Sequence, residues 1–376
     1  MKYIWQHKTW PRFTWNSDAL LKPLGKVRFT QGSFITQIRE LGFDIQQTAR
    51  ADVLVEDALK TSAIEGEALD PAAVRSSVGR QLNIPDAGLR HVQDRKADGL
   101  VQILLDATSN HDQKLSPERL FAWHAALFPT GYSGMIQIKV GQWRDDAQGP
   151  MQVVSGPGGN RKIHFQAPPA QVIDSQIKPL ISWVNRPSET EGIIRAALAH
   201  LWFITIHPFD DGNGRIARTL TDMLLARDEK SPERFYSLSS QIMAERNAYY
   251  DILHATQTGN LEITDWLVWF LECMNRAILH SNSLLERIMI KARFWKRFAQ
   301  TPLSRRQSKV INRLLDAGPN GFEGGLKNKK YMGIAHTSRA TAQRELADLV
   351  QKGVLARQPG GGRSASYDLD WRKLEK

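Results

Sequence analysis

The chain has 376 residues, 41% hydrophobic and 24% charged, the make-up of a soluble globular protein with room for two or three domains. Its most apolar run, ITDWLVWFLECMNRAIL (263–279), carries Asp265, Glu272 and Arg276, which argues for a buried helix rather than a membrane span. The net charge of +11 is uneven: residues 281–376 hold 20 Lys and Arg against 8 Asp and Glu, while the remainder is close to neutral, so a basic module facing a polyanion is expected at the C-terminal end. The opening MKYIWQHKTW has no apolar signal core, and the lone Cys273 rules out an internal disulfide or a cysteine-based zinc site. Both point to a cytoplasmic protein.

In chain order, residues 1–32 begin with YIWQHKTWPRFTW, whose tryptophans at 5, 10 and 15 follow neither helical nor strand period. An irregular segment pinned by its aromatics is expected there. From about 33 to 63 the pattern is helical, with Phe34, Ile38, Leu41 and Ile45 on one stripe and a second candidate helix at 49–64. Helices are expected at 94–109 and 116–128, the latter opened by a Ser116 cap and Pro117. Residues 141–169 read as a hairpin, MQVV and KIHF around SGPGGN. Further helices are expected at 170–185, 189–205, 214–227, 240–258 and 262–280. In 303–372, SRRQSKVINRLLDAG and TSRATAQRELADLVQKG read as two helices, followed by two short strands around a glycine tip. Helix, helix and hairpin is the order of a winged helix-turn-helix, which serves either DNA or protein partners.

The densest chemistry lies in IHPFDDGNGRIAR, residues 206–218. His207 precedes a proline, so it stands where a helix gives way to a loop. Gly212 and Gly214 free the backbone, and Asn213 tolerates the left-handed region. The helix that follows presents unpaired amides and the positive end of its dipole, which makes an anion cradle. Arg215 and Arg218 are neighbours on that helix and suited to phosphate oxygens. Asp211 beside a polyphosphate is a natural Mg²⁺ ligand, and His207 is a base that works near neutral pH. The set suits nucleotidyl or phosphoryl transfer to a hydroxyl.

The pattern HPFDDGNGRIAR resembles the signature of the Fic family, enzymes that move a nucleotide monophosphate from ATP to a protein hydroxyl. VGQWRDDAQGPMQVVSG…KIHFQAPP is similar to that family's flap, and AERNAYYDIL to the stretch that closes over the base. The opening segment with TSAIEGEALD resembles a domain found ahead of the core in one bacterial branch. The resemblance implies that His207 deprotonates the target hydroxyl and Asp211 holds Mg²⁺. It implies that Gly212, Asn213 and Gly214 cradle the phosphates of ATP, with Arg215 and Arg218 on the distal ones. Tyr249 and Tyr250 would flank the nucleoside and Gln257 would close the pocket. TSAIEGE matches an inhibitory motif at Thr61, Glu65 and Gly66; it implies a Glu65–Arg218 pair that keeps ATP in an unproductive pose. In some family members the same glutamate helps hydrolyse the modification.

The expectation is a mainly α protein: an N-terminal domain with the inhibitory helix (1–92), a Fic-type helical core with a β-hairpin flap (93–282), a linker helix (283–302) and a winged-helix-like domain (303–376). The expected partner is a protein that presents a hydroxyl in an extended segment added as a strand to the flap, or the chain itself, with no membrane. DNA binding through 303–376, with the core as a nucleotide sensor, is a competing reading, as is a different nucleotide donor. The basic, aromatic KARFWKRF stretch suits packing between domains or in a homodimer.

Overall fold

The computed structural model describes residues 3–84, 92–155, 162–318, 322, 324–358 and 366–371. They fall into two compact units, Met1–Gly42 with Gln46–Ser281, and Phe43–Ile45 with Asn282–Lys376. The first unit therefore holds both the N-terminal segment and the region of the motif.

Within it, helices α1 (Ser17–Arg39), α2 (Phe43–Ile64), α3 (Pro71–Gln81), α4 (Arg95–Ser109) and α5 (Pro117–Leu127) precede a two-residue ladder of β1 (Tyr132–Ser133) and β2 (Ile136–Gln137). The hairpin β3 (Gln152–Ser155) and β4 (Lys162–Gln166) follows; it is antiparallel, with Val153 opposite Phe165 and a bulge after Val153. Its SGPGGN tip lies largely outside the described residues. Then come α6 (Ile173–Asn185), α7 (Gly192–Ile206), α8 (Asn213–Glu229), α9 (Leu238–Ala244), α10 (Arg246–Gln257) and α11 (Thr264–Arg297). Among the described residues no helix is long and apolar enough to cross a membrane.

α7 explains the architecture. Every residue from Ile193 to Ile206 except Arg195 is buried, so this helix is apolar all round and has to sit at the centre. α8 packs along it, and Trp266 of α11 donates to the Ala197 carbonyl from the other side. The loop between α7 and α8, which carries the motif, is thus held between two buried helices.

The N-terminal expectation holds for residues 3–16. Trp5 donates to the Gln166 carbonyl, Trp10 to Gln176, and Tyr3 meets Phe165 edge-on at 5.3 Å, so the aromatics brace the base of the hairpin. It fails for 17–32, which belong to α1. Asn16 caps that helix through the amides of Asp18 and Ala19. The buried stripe Leu20, Val27, Gln31, Phe34, Ile38 has a glutamine in the middle, held by Glu229, and that polar residue masked the period. The single helix expected over 240–258 is broken at Glu245, whose carboxylate is gripped by two nitrogens of Arg276. The separate linker helix is also corrected. α11 runs unbroken to Arg297, because no glycine or proline occurs between 264 and 297.

The second unit contains α12 (Arg305–Ala317), α13 (Asn328–Ala335), α14 (Arg339–Gln351) and the antiparallel pair β5 (Leu355–Arg357) and β6 (Tyr367–Leu369). Leu326 bridges to Tyr367 and widens this sheet. Val310, Leu314, Tyr331, Leu346 and Leu355 form its core with Phe294. Two helices had been expected; α13, eight residues long, is too short to show a period.

Candidate active site

α7 ends at His207, which takes the left-handed conformation (φ 52°, ψ 59°). The ring is placed by its Nδ1, 3.2 Å from the Ile204 carbonyl; a donor there leaves Nε2 as the basic nitrogen, and His207 lines the cavity described below. Arg144 fixes the backbone by donating to the His207 carbonyl at 2.8 Å. Burial pushes the imidazole down to about 4, helped by the Arg144 charge and opposed by the Ile204 carbonyl and by Glu65, so it is neutral at physiological pH.

The loop is closed by its own asparagine. Asn213 accepts from the Phe209 amide and donates to the Phe209 carbonyl, so its buried side chain serves the turn rather than the cavity. Gly212 has φ +79°, and α8 starts after it with no side-chain cap, which leaves its first amides open as expected. The Glu65 carboxylate lies directly against Gly214: a Cβ there would meet Glu65 Oε1 at 2.0 Å. Asp211 is 41% exposed; its carboxylate accepts from Ser133 Oγ at 2.5 Å and the Gly212 amide at 2.6 Å. Among the described residues no cluster of three metal-binding side chains exists.

Both arginines meet glutamates. Arg218, 2% exposed, donates through Nε to Thr61 Oγ1 (2.7 Å) and through Nη2 to the Thr61 carbonyl (2.9 Å) and Glu65 Oε1 (2.7 Å). Glu65, carboxylate neighbour above all, raises the Arg218 guanidinium above its ordinary value against the cost of burial. Arg215 donates through Nη1 to Glu67 at 2.7 Å and lies 4.9 Å over the Phe128 ring. The segment that brings both acids is shaped by Gly66 (φ +82°). With the Glu67 amide on the Ser62 carbonyl and the Gly66 amide on Ala63, it ends α2 in a Schellman turn. α10 holds the same helix end, with Arg246 and Tyr250 both donating to the Ile64 carbonyl.

A cavity of about 470 Å³ joins Glu65, His207, Asp211, Asn213 and Gly214 to Tyr249, Tyr250 and Gln257, and its other wall is Val153, Val154 and His164 of the hairpin. Of the residues picked from the motif, His207, Asp211, Asn213 and Gly214 line this cavity, and Gly212, Arg215 and Arg218 do not. Tyr249 presents only its ring, because its hydroxyl is spent on His200 at 3.0 Å. Gln257 is buried and donates to Thr205.

Sequence reasoning missed four residues here. His124 accepts from the Gly141 amide at Nδ1 and lies 3.2 Å from the Asp211 carbonyl at Nε2, stacked on Phe209 at 4.2 Å. It positions the Asp211 backbone, and burial holds its ring down to about 4. His200 links Tyr249 to Thr221 and is pushed down to about 3 by burial. Arg246 and Glu67 are the others. None had a local signal, since each partner is distant along the chain. Glu67 alone could have been suspected, as a second acid beside a motif with two arginines.

The arrangement sets a glycine-containing loop and the uncapped first turn of α8 against a buried imidazole in a mainly helical protein. The model of the Fic/DOC family matches residues 114–225, the stretch that carries the motif. Residues 3–84 match a domain of unknown function, DUF4172. The chain is 36% identical over 205 residues to protein adenylyltransferase fic-1 of Caenorhabditis briggsae and 27% identical over the same length to that of Caenorhabditis elegans. Each match covers 54% of this chain but only 36% of the relative, so the chain spans about a third of their length. The crystal structure of a Fic family protein from Desulfovibrio desulfuricans G20 superposes with a TM-score of 0.55 over 96% of this chain and 98% of that one, at 17% identity, which shows a shared fold.

Proposed function

We propose that the protein is an adenylyltransferase that moves AMP from ATP to a hydroxyl of a protein, or of itself, and that it is held off by its own second helix. The hydroxyl oxygen attacks the α-phosphorus, the bond to the β-phosphate breaks, pyrophosphate leaves, and Nε2 of His207 takes the hydroxyl proton. A neutral imidazole with its inner nitrogen anchored suits that role. The amides at Asn213 and Gly214 would cradle phosphates, joined by that of Gly212 once it leaves the Asp211 carboxylate, and Arg215 and Arg218 would hold the distal ones. Asp211, exposed and directed by Ser133, fits a Mg²⁺ carried on the triphosphate, where the metal would offset phosphate charge. Val154 and Ile163, both exposed on the hairpin, offer the edge for an extended target segment.

One observation carries the reading: Glu65 sits against Gly214 at the start of α8, on Arg218, in the same cavity as His207. A carboxylate at an anion cradle occupies the place a γ-phosphate needs and repels it. With ATP labelled in its α-phosphate, the intact chain is expected to label itself weakly, Glu65→Gly strongly, and Glu65→Gly/His207→Ala not at all. Equal labelling of the intact chain and Glu65→Gly contradicts the restraint.

A second reading concerns the C-terminal unit. The order α12, α13, α14, β5, β6 is that of a winged helix-turn-helix, and Arg339 and Arg344 are exposed on α14. Arg305, Lys309 and Arg313 line an open groove of about 610 Å³ on α12. This favours a duplex DNA partner; binding to a mixed-sequence duplex should fall steeply with salt and weaken in Arg339→Ala/Arg344→Ala. Salt-independent or unchanged binding contradicts it.

A further inference from the structure

Glu65 and Glu67 each meet a motif arginine, but they meet different edges of it. On Arg218 the Nε–Nη2 edge, one of the two that can grip a pair of oxygens, is consumed by Thr61 and Glu65, and only its buried Nη1 is left without a partner among the described residues. On Arg215 that edge is left open. Glu67 takes Nη1 alone; Nη2 lies 3.8 Å from Asp211, and Nε is buried with no hydrogen-bond partner among the described residues. A guanidinium whose side chain is only 6% exposed, with an unsatisfied nitrogen beside an anion cradle, is waiting for an acceptor the chain does not supply.

Glu67 is also anchored independently of Glu65. Its Oε1 receives Lys96 of α4 at 2.7 Å while Oε2 receives Arg215 at 2.7 Å. Lys96, Glu67, Arg215 and Asp211 form a row of alternating charge, with Phe128 beneath the guanidinium. Removing the Glu65 carboxylate breaks none of these contacts. The Schellman turn at Gly66 separates the two acids, sending one to each arginine.

We propose that Glu67 is a positioning residue for the nucleotide: it holds Arg215 by one nitrogen so that the Nε–Nη2 edge is presented to a phosphate group. The two glutamates, two positions apart, then act on the same reaction with opposite sign. This rests on the nucleotide reading of the site given above, which the Glu65→Gly variant tests separately.

The test uses the full chain in the Glu65→Gly background. Affinity for ATP with Mg²⁺ is measured by calorimetry and self-labelling by its KM and kcat. Glu67→Gln is expected to weaken ATP binding and raise KM about 5- to 10-fold, with a smaller change in kcat. Glu67→Asp, which keeps the charge, is expected to recover part of the loss, and Lys96→Met to show a weaker form of it. Thermal unfolding of each variant without nucleotide separates these effects from misfolding. In the chain with Glu65 intact, Glu67→Gln is expected to leave labelling low. A rise in labelling there would make Glu67 a second brake and overturn the proposal, as would unchanged ATP affinity in the Glu65→Gly background. If Glu65→Gly binds ATP but transfers nothing, the transferase reading fails while the affinity comparison still decides the role of Glu67. If it binds no ATP, both fail.

Discussion

Arg215 and Arg218 lie one turn apart on one helix, both are buried, and both are paired with glutamates from one seven-residue stretch. They are nonetheless in different states. Arg218 is occupied along its Nε–Nη2 edge and keeps only Nη1 without a partner among the described residues, whereas Arg215 is braced at Nη1 and open along the Nε–Nη2 edge. An ion pair is therefore not informative by its partners alone; which guanidinium nitrogens it leaves open decides whether it blocks or presents.

The largest expected effect tests whether both arginines serve the same ligand. In the Glu65→Gly background, Arg215→Ala and Arg218→Ala should each lower kcat/KM for ATP by about two orders of magnitude, the scale seen when one donor to developing or bound phosphate charge is removed. Steady-state labelling measures it, and an indifferent Arg218→Ala would detach the blocked arginine from the nucleotide.

Next is the Thr61 half of the block. Thr61→Val keeps the shape but removes the oxygen on Arg218 Nε. A hydrogen bond to a charged group is worth roughly 1.5–3 kcal/mol, so labelling in the chain with Glu65 present should rise about tenfold, less than with Glu65→Gly. No rise would leave Glu65 as the entire restraint.

A smaller effect belongs to the turn that separates the two acids. Gly66→Ala forces a Cβ into a left-handed position at a cost of about 1–2 kcal/mol, with no clash to add to it. Differential scanning calorimetry should show a lower Tm, and labelling should rise modestly as α2 loosens. An unchanged Tm would mean that the turn is not under conformational demand.

The smallest effect on the two arginines themselves is pH-linked and comes from three buried histidines around the site, which act on stability. His124, His200 and His207 are held down to about 4, 3 and 4, mainly by burial. A folded value below the ordinary 6.5 means that the unfolded chain binds more protons between those limits. Their contribution is intact above about pH 6.5 and is lost as the pH falls towards 4. Each should cost on the order of 1–2 kcal/mol by pH 5. Tm measured from pH 7.5 to 5 should fall below 6.5, and His200→Gln should shallow that slope.

What was legible in the sequence follows the same division between local and distant contacts. The loop from His207 to Arg218 could be read because glycine conformation, helix start and residue spacing are properties of neighbouring residues, and the structure gathers His207, Asp211, Asn213 and Gly214 on one cavity. The hairpin and α5 were legible for the same reason. α1 was not, since Gln31 occupies a core position and is satisfied by Glu229, 198 residues away. His124 carried no signal and Glu67 only the weak one of a second acid near Glu65, because their roles depend on the Asp211 carbonyl and on Arg215, 87 and 148 positions distant. The resemblance implied a cradle role for the Asn213 amide; that its side chain closes the loop on Phe209 was not legible.

The account stands or falls on where a triphosphate lies when Glu65 is gone. Crystals of Glu65→Gly soaked with ATP and Mg²⁺ should show the phosphates along the first turn of α8, with the terminal one on the Nε–Nη2 edge of Arg218 that Glu65 and Thr61 now share, and the α-phosphorus facing His207. Density for the triphosphate elsewhere, with Arg218 still turned to Thr61, would contradict it.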